Sequence, residues 1–356
     1  MNKLNYYFIL IISAFLVSCN SDDNSGMPTL EGDFRNGIFV LNEGGFTYAN
    51  ASVSFISSTG EIQNNIFEAV NGRKLGDVAQ SISFNGDFAY IVVNNSNTVE
   101  VVNRYTFESV GTIAGELYNP RYIEFYNGKG YVSNWGDGND ASDDFIAVVD
   151  LNSNSILNKI PVPQGPERLV SANGKLYIAQ RGDYGFGNSI SVLDLNSESI
   201  SSTIQVADYP NGMMETNGFL FVLCSGKESW TGDETSGAMF KINLQNHEIV
   251  DEFTFENGLH PSYLQIENDK IYYTIGQNIY RTEVADIEPS ASPFISTSED
   301  EMQIFYGFNV DNGWIYACDA KDYQSNGELF VYSLTGSLES KYPIGGIIPN
   351  GVYFNN

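Results

Sequence analysis

Seven aromatic side chains lie in polar stretches rich in Gly and Asp, where local packing does not call for them. They are Phe46, Tyr48, Trp135, Tyr184, Phe186, Trp230 and Tyr323. Aromatic residues that cluster with Arg are typical of binding surfaces. Individual members could instead fold back over the edge of a sheet. We expect most of them to contact a ligand.

A second group of polar and aromatic residues stands within two positions of regularly spaced prolines. These residues are Arg121, Arg168, Tyr209, His260 and Tyr263. If the prolines mark equivalent strands, the group gathers at the mouth of one channel and completes the ligand-binding set. The alternative is that they pair with acidic loops and fill the channel.

Signatures of catalysis and metal binding are weak. The chain has two His residues, no Gly-x-Ser-x-Gly turn and no His pair at metal-ligand spacing. The run from Asp137 to Asp140, with Asp143 and Asp144, offers oxygen ligands for Ca²⁺. It lacks the full EF-hand pattern and its closing Glu, so a solvated acidic loop is favoured. We predict no enzyme, no catalytic residue, no cofactor and no metal.

A turn that repeats at intervals of 42 to 51 residues indicates the strands that position these residues. The turns are Asn36-Gly37, Asn85-Gly86, Asn127-Gly128, Asn173-Gly174, Asn217-Gly218, Asn268-Asp269 and Asn312-Gly313. Asn-Gly supplies the positive φ angles of a type I′ hairpin. Apolar runs with period-2 alternation flank each turn, and the interval matches one four-stranded propeller blade. The sequence therefore predicts an all-β, seven-bladed propeller over residues 36–356.

Prolines fix the register of the blades. Each of Pro120, Pro166, Pro210 and Pro261 stands seven residues before its turn Asn and should begin an innermost strand. Pro349 obeys the same rule but has no hairpin partner after it. We expect residues 352–354 to pair with residues 38–41, which closes the ring and leaves no open edge.

The two sides of this propeller should differ. Turns from first to second strand, and from third to fourth strand, are short and make one side smooth. The other connections, 43–50, 135–144, 181–188, 225–237 and 319–327, are long and carry the aromatic residues. Binding usually resides on long loops held by a rigid scaffold. His247 falls on the smooth side, where we expect it to be solvated.

The N-terminus has the form of a lipoprotein signal. A short apolar run follows Lys3 and ends at Leu16-Val17-Ser18-Cys19, which resembles a bacterial lipobox. An ordinary signal peptide with an incidental Cys is the alternative. We assign residues 1–18 to the signal and 19–35 to lipidated Cys19 and a polar tether. Ser21-Asp22-Asp23 resembles the surface-export signal of Bacteroidetes lipoproteins, or is a plain linker.

Net charge limits the possible partners of the protein, and the positions of the cysteines indicate their chemical state. The chain has 17 basic and 44 acidic residues, a net charge of −27 that argues against nucleic acid and against an anionic bilayer surface. Cys224 and Cys318 fall in blades that are not neighbours, so we expect buried free thiols.

Several stretches resemble known propeller families. Tyr131-Val132-Ser133-Asn134 is similar to the Tyr-Val-Thr-Asn signature of surface-layer-type propeller repeats. The stretches 40–44, 50–54, 75–81 and 93–96 resemble a family of Bacteroidetes propeller lipoproteins. The resemblance implies a cell-surface protein anchored in the outer membrane by lipid. Its best-understood members bind cobalamin and cap a TonB-dependent outer-membrane transporter.

Three functions follow from these observations. We expect ligand binding for uptake, with cobalamin or a similar large nutrient as the ligand and a TonB-dependent transporter as the partner. A protein-docking or adhesion propeller would use the same loops with a flatter footprint. A lactonase-like enzyme is third, since it would need a metal or a base in the central funnel.

Overall fold

The computed structural model describes residues 34–256 and 258–355, which form seven four-stranded antiparallel sheets. The sheets are the blades of a β-propeller, and blade 1 contains both the earliest and the latest strand of the chain. First strands of successive blades contact one another around the axis. The predicted all-β, seven-bladed architecture is confirmed. The predictions for residues 1–33, including the signal, Cys19 and most of the tether, lie outside the described residues.

Each blade has four strands, which we count from the axis outward, and the blades are numbered 1 to 7 around the ring. The first strands are β28 (Pro349–Asn355), β4 (Ala79–Asn85), β8 (Pro120–Tyr126), β12 (Pro166–Ala172), β16 (Pro210–Thr216), β20 (Pro261–Glu267) and β24 (Phe305–Asp311). The second strands are β1 (Gly37–Asn42), β5 (Phe88–Val93), β9 (Lys129–Asn134), β13 (Lys175–Gln180), β17 (Phe219–Cys224), β21 (Lys270–Ile275) and β25 (Trp314–Asp319). The third strands are β2 (Ser52–Ser57), β6 (Thr98–Asn103), β10 (Phe145–Asp150), β14 (Ser189–Asp194), β18 (Ala238–Asn243), β22 (Asn278–Glu283) and β26 (Asn326–Ser333). The fourth strands are β3 (Ile62–Gln63), β7 (Ser109–Ile113), β11 (Ser155–Pro161), β15 (Ser199–Gln205), β19 (Ile249–Thr254), β23 (Ile295–Ser296) and β27 (Leu338–Ile347).

The ring closes in the predicted way. Strand β28 pairs antiparallel with β1, with Ile38 opposite Phe354 and Val40 opposite Val352. The Asn355 side chain extends the closure to blade 2, where it accepts a hydrogen bond from Arg104 Nε at 2.5 Å. Closure thus gives the innermost strand of blade 1 a partner, although six other blades lie between β1 and β28 in the chain. The prolines at the start of β8, β12, β16, β20 and β28 stand where the register predicts.

The hairpin turns follow the prediction with two exceptions. In blade 1, Gly37 is the first residue of β1 and pairs with Asn355, so Asn36-Gly37 is not a two-residue hairpin turn. Asn127 and Gly128 both have positive φ, 47° and 75°, as a type I′ turn requires. In blade 2, Asn85 is the last residue of β4 and pairs with Phe88, so the turn is Gly86-Asp87. Gly86 has φ 56° in the first turn position, as in a type II′ turn. The prediction of an Asn85-Gly86 turn is therefore wrong by one residue.

Two sides of the propeller can now be defined. The turn face carries the first-to-second and third-to-fourth connections, and the loop face carries all others. The turn face is not smooth throughout, because residues 284–294 form a long third-to-fourth connection in blade 6. On the loop face, the second-to-third connections of blades 2 and 6, residues 94–97 and 276–277, are short. The long loops are thus concentrated on blades 1, 3, 4, 5 and 7.

His247 on the turn face is not merely solvated. It is half-buried, and its ring meets the ring of Tyr177 edge-on with centroids 5.7 Å apart. Its Nε2 lies 3.1 Å from the Tyr177 hydroxyl, and its Nδ1 lies 3.3 Å from the Ser202 hydroxyl. Because both partners belong to blade 4, His247 ties blade 5 to its neighbour, and the expectation of a solvated side chain is wrong.

The apolar core is divided among the seams between blades. Seven buried clusters occupy the seven seams, and each draws residues from two adjacent sheets. A short helix, α1 (Ile66–Asn71), buries Ile66 and Phe67 at the first seam, where Phe34 also packs. Cys224 and Cys318 are buried free thiols in blades 5 and 7, as predicted. Among the described residues, no helix has the length and apolar character needed to cross a bilayer.

Candidate functional site

Each innermost strand is irregular close to its first residue. In blades 2, 5, 7 and 1, one extra residue interrupts the pairing, and in blades 3, 4 and 6 two residues lie in the irregular step. A β-bulge breaks the strict alternation of side chains and re-aims them. The residues at these steps are Gln80, Arg121 and Tyr122, Glu167 and Arg168, Asn211, Tyr263 and Leu264, Tyr306, and Asn350. All of them line one central cavity.

The central cavity has a volume of about 600 Å³ and is bordered by every blade. Because the innermost strands begin on the loop face, their bulges place the cavity at that end of the channel. Its walls combine arginines, carboxylates and phenols. The charged and aromatic residues that line it are Glu43, Arg121, Tyr122, Glu167, Arg168, Arg181, Tyr209, Tyr263, Tyr306 and Tyr353.

Two of the arginines share one carboxylate. Arg121 binds Glu167 in a bidentate pair, with Nε and Nη2 at 2.9 and 3.0 Å from the two oxygens. Arg181 Nη1 lies 3.4 Å from Glu167 Oε1, and its Nη2 donates to the Tyr209 hydroxyl. Burial works against the charged form of Glu167, but Arg121 and Arg181 outweigh it and keep its pKa below the ordinary value. The trio therefore carries one net positive charge.

Trp135 packs its ring against Arg121 and Arg181, the two arginines that bind Glu167. Its side chain is only 7% exposed, with the guanidinium of Arg121 4.1 Å from the ring centroid and that of Arg181 5.3 Å from it. Tyr184 meets the same ring edge-on, with centroids 6.1 Å apart. Although it begins a polar loop, Trp135 is thus buried, because two arginines lie over its face and cation–π contact stabilises that position.

Arg168 and Glu43 hold the rest of the cavity's charge. The Arg168 guanidinium lies 4.4 Å from the centroid of the Tyr122 ring and makes no ion pair with a described residue. Glu43 accepts hydrogen bonds from Asn350 Nδ2 at 3.1 Å and from the Tyr306 hydroxyl at 3.2 Å. Burial raises the pKa of Glu43 above its ordinary value, although those hydrogen bonds and Arg121 oppose the shift. The cavity is therefore basic within a strongly acidic protein.

A line of aromatic rings runs from the rim into the cavity. Trp230, in a short 3₁₀ turn over Ser229–Thr231, is 76% exposed. Its ring centroid lies 6.2 Å from that of Phe186, which lies 5.7 Å from that of Tyr209. The Tyr209 ring in turn carries Arg181 at 4.4 Å. Two of the loops predicted to bind, 181–188 and 225–237, thus meet Tyr209 at one side of the cavity.

The remaining predicted aromatics occupy other parts of the rim. Phe46 and Tyr48, in the loop of blade 1, are 68% and 74% exposed, and Tyr184 is 72% exposed. Tyr323 is partly covered by Tyr306, whose ring meets it edge-on with centroids 5.6 Å apart. Together with Trp230, these side chains place most of the predicted aromatic residues at exposed positions of the loop face.

His260 stands apart from the cavity. Its Nδ1 lies 2.8 Å from the carbonyl oxygen of Ser225, and its Nε2 lies 3.4 Å from Glu234 Oε1. It therefore pairs with the acidic loop of blade 5, which was the alternative for this group. Arg121, Arg168, Tyr209 and Tyr263 do line the cavity.

The backbone is strained where it borders the cavity. Val78, Tyr209 and Tyr263 have φ angles of 59°, 62° and 58°, a region that branched and bulky residues avoid. Tyr263 is fixed there by a hydrogen bond from its hydroxyl to the carbonyl oxygen of Tyr306, at 2.7 Å. Such conformations cost of order 1–3 kcal/mol each and cluster at ligand-binding sites.

The sequence patterns did not single out several residues that line the cavity, namely Glu43, Tyr122, Glu167, Arg181 and Tyr306. The position of some of these residues relative to the start of the innermost strand could have identified them. The position after the first residue of each innermost strand is Gln80, Arg121, Glu167, Asn211, Ser262, Tyr306 or Asn350, and all seven line the cavity. That position can be read from the prolines in five blades. Arg181 has no such marker, since it enters from a loop.

Fold and site together define a seven-bladed β-propeller with a polar central cavity on its loop face. The chain belongs to the family described as "Domain of unknown function (DUF5074)", whose profile matches residues 36–339. Comparison with curated proteins gives no match.

Solved structures with a similar fold come from several bacteria. A quinonprotein alcohol dehydrogenase-like protein from Bacteroides thetaiotaomicron is 15% identical over 91% of this chain and 79% of its own, with a TM-score of 0.68. A functionally unknown protein from Desulfotomaculum acetoxidans is 12% identical over 90% and 98%, with a TM-score of 0.66. BamB from Moraxella catarrhalis is 13% identical over 88% and 85%, with a TM-score of 0.53. At these identities the similarity shows the fold alone.

Proposed function

We propose that this protein binds a large ligand on its loop face, with one part of the ligand in the central cavity and the rest against the aromatic rim. The observation that carries the proposal is the continuity of the two surfaces, since the rings of Trp230, Phe186 and Tyr209 lead directly to Arg181 in the cavity. The strained backbone at Tyr209 and Tyr263 supports it.

The chemistry of the cavity favours a ligand with anionic or amide groups and a flat apolar body. Arg168 offers donors that no described carboxylate takes up, and the surrounding phenols offer both hydrogen bonds and ring faces. Cobalamin is the first candidate, because a corrinoid combines a broad ring with amide arms and a phosphate. A ligand of this size exceeds a cavity of about 600 Å³, so its ring would lie across the exposed aromatics.

An absorbance titration of the purified protein with cobalamin, haem and a siderophore tests the ligand class. We expect saturable one-to-one binding of one of them, weakened at least tenfold by Arg168→Ala, which removes the unpaired guanidinium. Glu339→Ala, on the turn face, serves as the control. Failure of all three ligands to bind, or equal binding by both variants, would contradict the proposal.

We further propose that the protein is lipidated at Cys19, faces the outside of the outer membrane and delivers its ligand to a TonB-dependent transporter. The lipobox-like Leu16-Val17-Ser18-Cys19 and the Ser21-Asp22-Asp23 run support this location. Cys19→Ala should release the protein from the membrane fraction, and protease added to intact cells should digest the wild-type protein. Protection in intact cells, with digestion after lysis, would place the anchor on the periplasmic side.

Protein docking on the same face is the second candidate function. The exposure of Trp230, Tyr48 and Tyr184, each above 70%, favours it, because these rings project beyond the cavity. We propose binding without chemical turnover in either case, since both His side chains already have protein partners. Binding of a transporter fragment that survives Arg168→Ala but not Trp230→Ala would favour docking over ligand capture.

A further inference from the structure

A pair of buried aspartates joins the long loops of blades 3 and 4. Asp144 is the last residue of the loop 135–144 and is 1% exposed. Asp183 lies in the loop 181–188 and is 3% exposed. Both residues pack against Gly165, since its N–H donates to Asp144 Oδ2 and a Cβ on it would lie 2.2 Å from the nitrogen of Asp183. Neither residue lines the central cavity.

These carboxylates are poorly satisfied. Asp144 Oδ2 accepts a hydrogen bond from the Gly165 N–H at 3.3 Å. The other three oxygens, Asp144 Oδ1 and both oxygens of Asp183, are buried and have no partner at hydrogen-bond distance and angle among the described residues. The Gln164 amide lies near Asp183 and favours its charged form, but burial outweighs this contact and the pKa of Asp183 is still raised. Burying a carboxylate without a partner costs several kcal/mol, and two of them together cost more. Buried polar groups of this kind call for a ligand or a proton.

No cationic side chain compensates the pair, because neither aspartate forms a salt bridge with a described Lys, Arg or His. Asp143 adds a further negative charge that acts on both groups. The backbone is also packed closely here: a Cβ on Gly165 would lie 2.2 Å from the nitrogen of Asp183. The loops are therefore held together at a point where their charges repel.

We propose that Asp144 and Asp183 bind a hard divalent cation, with Ca²⁺ the preferred ion, and that the cation cross-links the two loops. Ca²⁺ takes six to eight oxygen ligands and combines carboxylates with backbone carbonyls and water. Among the described residues, no three His, Cys, Asp or Glu side chains converge as a metal cluster. The two carboxylates would thus act with backbone oxygens and water, and the absence of sulfur and imidazole ligands disfavours Zn²⁺.

This assignment differs from a linear calcium loop within residues 137–144. In that loop, Asp137 Oδ1 accepts the Asn139 N–H at 3.1 Å, and Asp140 Oδ1 accepts the Ser142 N–H at 3.0 Å. Those side chains shape their own turns, whereas Asp144 reaches the next blade. Trp135 begins the loop that Asp144 ends, and Tyr184 directly follows Asp183. The cation would therefore also fix the positions of these two rings, which contact each other at the edge of the cavity.

The test is calorimetry and thermal melting of the purified protein after removal of divalent ions with a chelator. We expect one-to-one binding of Ca²⁺, displaced only weakly by Mg²⁺. The melting temperature should rise by about 5 °C at a 100-fold excess over Kd. Terbium emission sensitised by Tyr184 or Trp135 should appear with the same stoichiometry.

Two variants that each remove one negative charge show whether Ca²⁺ binds at the aspartate pair or responds only to the acidity of the region. Asp183→Asn should weaken Ca²⁺ binding at least tenfold. Its cation-free melting temperature should equal or exceed that of the cation-free wild type, because one repelling charge is gone. Asp140→Asn, an exposed position in the neighbouring loop, should leave both readouts unchanged.

Two results would overturn the proposal. One is the absence of any Ca²⁺-dependent heat or melting shift in the wild-type protein, which would mean that the aspartates share a proton instead. The other is a shift that Asp183→Asn retains. If Asp183→Asn does not fold, Asp144→Asn gives the same comparison, and the wild-type titration stands without either variant.

Discussion

Three guanidinium groups point into one cavity of a protein whose net charge is −27. Arg121 and Arg181 are held by Glu167 and by the face of Trp135, so both are engaged within the protein. Arg168, in contrast, packs on the ring of Tyr122 and forms no ion pair with a described residue. Because its charge is not neutralised by a described partner, we expect Arg168 to be the residue that contacts the anionic or amide groups of the proposed ligand.

Removal of the outermost ring should weaken binding without affecting the fold. Trp230→Ala removes a side chain that is 76% exposed, and the loss of one aromatic anchor costs about 2 kcal/mol, or roughly thirtyfold in Kd. Trp314→Ala is the matched control, since Trp314 is also exposed but begins β25 on the turn face. Equal Kd values for the two variants in the absorbance titration would refute the assignment of the loop face.

Trp135→Ala should behave differently from Trp230→Ala. The Trp135 ring is buried beneath two guanidinium groups, so its removal leaves a void and removes a cation–π contact from both arginines. We expect a loss of about 3 kcal/mol in the free energy of unfolding, measured by denaturant titration, together with weaker binding.

Glu43 should make the stability of the protein depend on pH. Its pKa is raised by burial above the ordinary value of 4.5, so the folded state holds the proton more tightly than the unfolded chain does. That stabilisation is present below pH 4.5 and is lost as the pH rises through the higher, folded-state pKa. In Glu43→Gln the side chain stays neutral at every pH, so this variant does not lose stability as the pH rises. The melting temperature of the variant should therefore exceed that of the wild type at pH 8 but not at pH 4.

The exposed Glu61, on the turn face, provides the comparison for this prediction. Glu61→Gln should track the wild type at both pH values. A Glu43→Gln protein that melts below the wild type at pH 8 would show that the charged carboxylate stabilises the cavity instead.

Among the secondary-structure elements, the innermost strands do most to build the site. A regular strand would send alternate residues toward the axis, but the bulges allow Arg121 with Tyr122, and Glu167 with Arg168, to line the cavity together. The same irregular steps bring neighbouring strands close. Gly307 in β24 is one such point, because a Cβ there would lie 2.6 Å from the carbonyl carbon of Asn350 in β28.

Gly307→Ala should therefore destabilise the propeller. The atoms that a methyl group would meet are backbone atoms of the closing strand, which cannot move without disturbing the pairing of β28. Overpacking of this kind costs about 1–3 kcal/mol, which chemical denaturation would measure. Gly45→Ala is the control, because the added Cβ meets the exposed side chain of Tyr48, at 2.8 Å, and that ring is free to rotate away. A smaller loss for Gly307→Ala than for Gly45→Ala would refute the argument.

The contrast between turns and bulges explains how much the sequence could predict. Asn-Gly turns and the prolines before them are local signals, and they were enough to place blades, closure and the loop face. A bulge depends on two strands together, so the sequence patterns predicted Arg121 and Arg168 at the channel but not that Tyr122 and Glu167 would line the cavity beside them. The burial of Trp135 and the contact of His247 with Tyr177 also depend on neighbouring blades. Phe46, Tyr48, Tyr184 and Trp230 were recognisable because exposure in a polar loop is a local property.

At the level of the whole molecule, stability depends on a ring of seven similar seams. Each seam has its own buried cluster, and the seventh joins Val40 and Ile56 of blade 1 to Leu329 of blade 7. Val352 of the closing strand lies in the same cluster. The seam that completes the ring is therefore also the one that most depends on the C-terminal strand.

Deletion of residues 349–356 should affect the entire domain. It removes β28, exposes the edge of β1 and opens the seam between blades 7 and 1. We expect a large fall in melting temperature, or a protein that does not fold, in a thermal scan followed by circular dichroism. The control is Asp311→Ala at the end of β24, which leaves the closing strand in place. An unchanged melting temperature for the deletion would rule out a stabilising role for closure.

The pairing of β28 with β1 also fixes the order of events during synthesis. Strand β1 is made before any other blade, but its inner neighbour is made only after all of them. Blades 2 to 7 can each pair as they emerge, whereas the first blade keeps an unpaired edge until the last strand arrives. A chain whose translation stops early, at any point before β28, thus displays the same open edge. Proteolytic surveillance that recognises this one feature would remove every incomplete product and spare the finished protein.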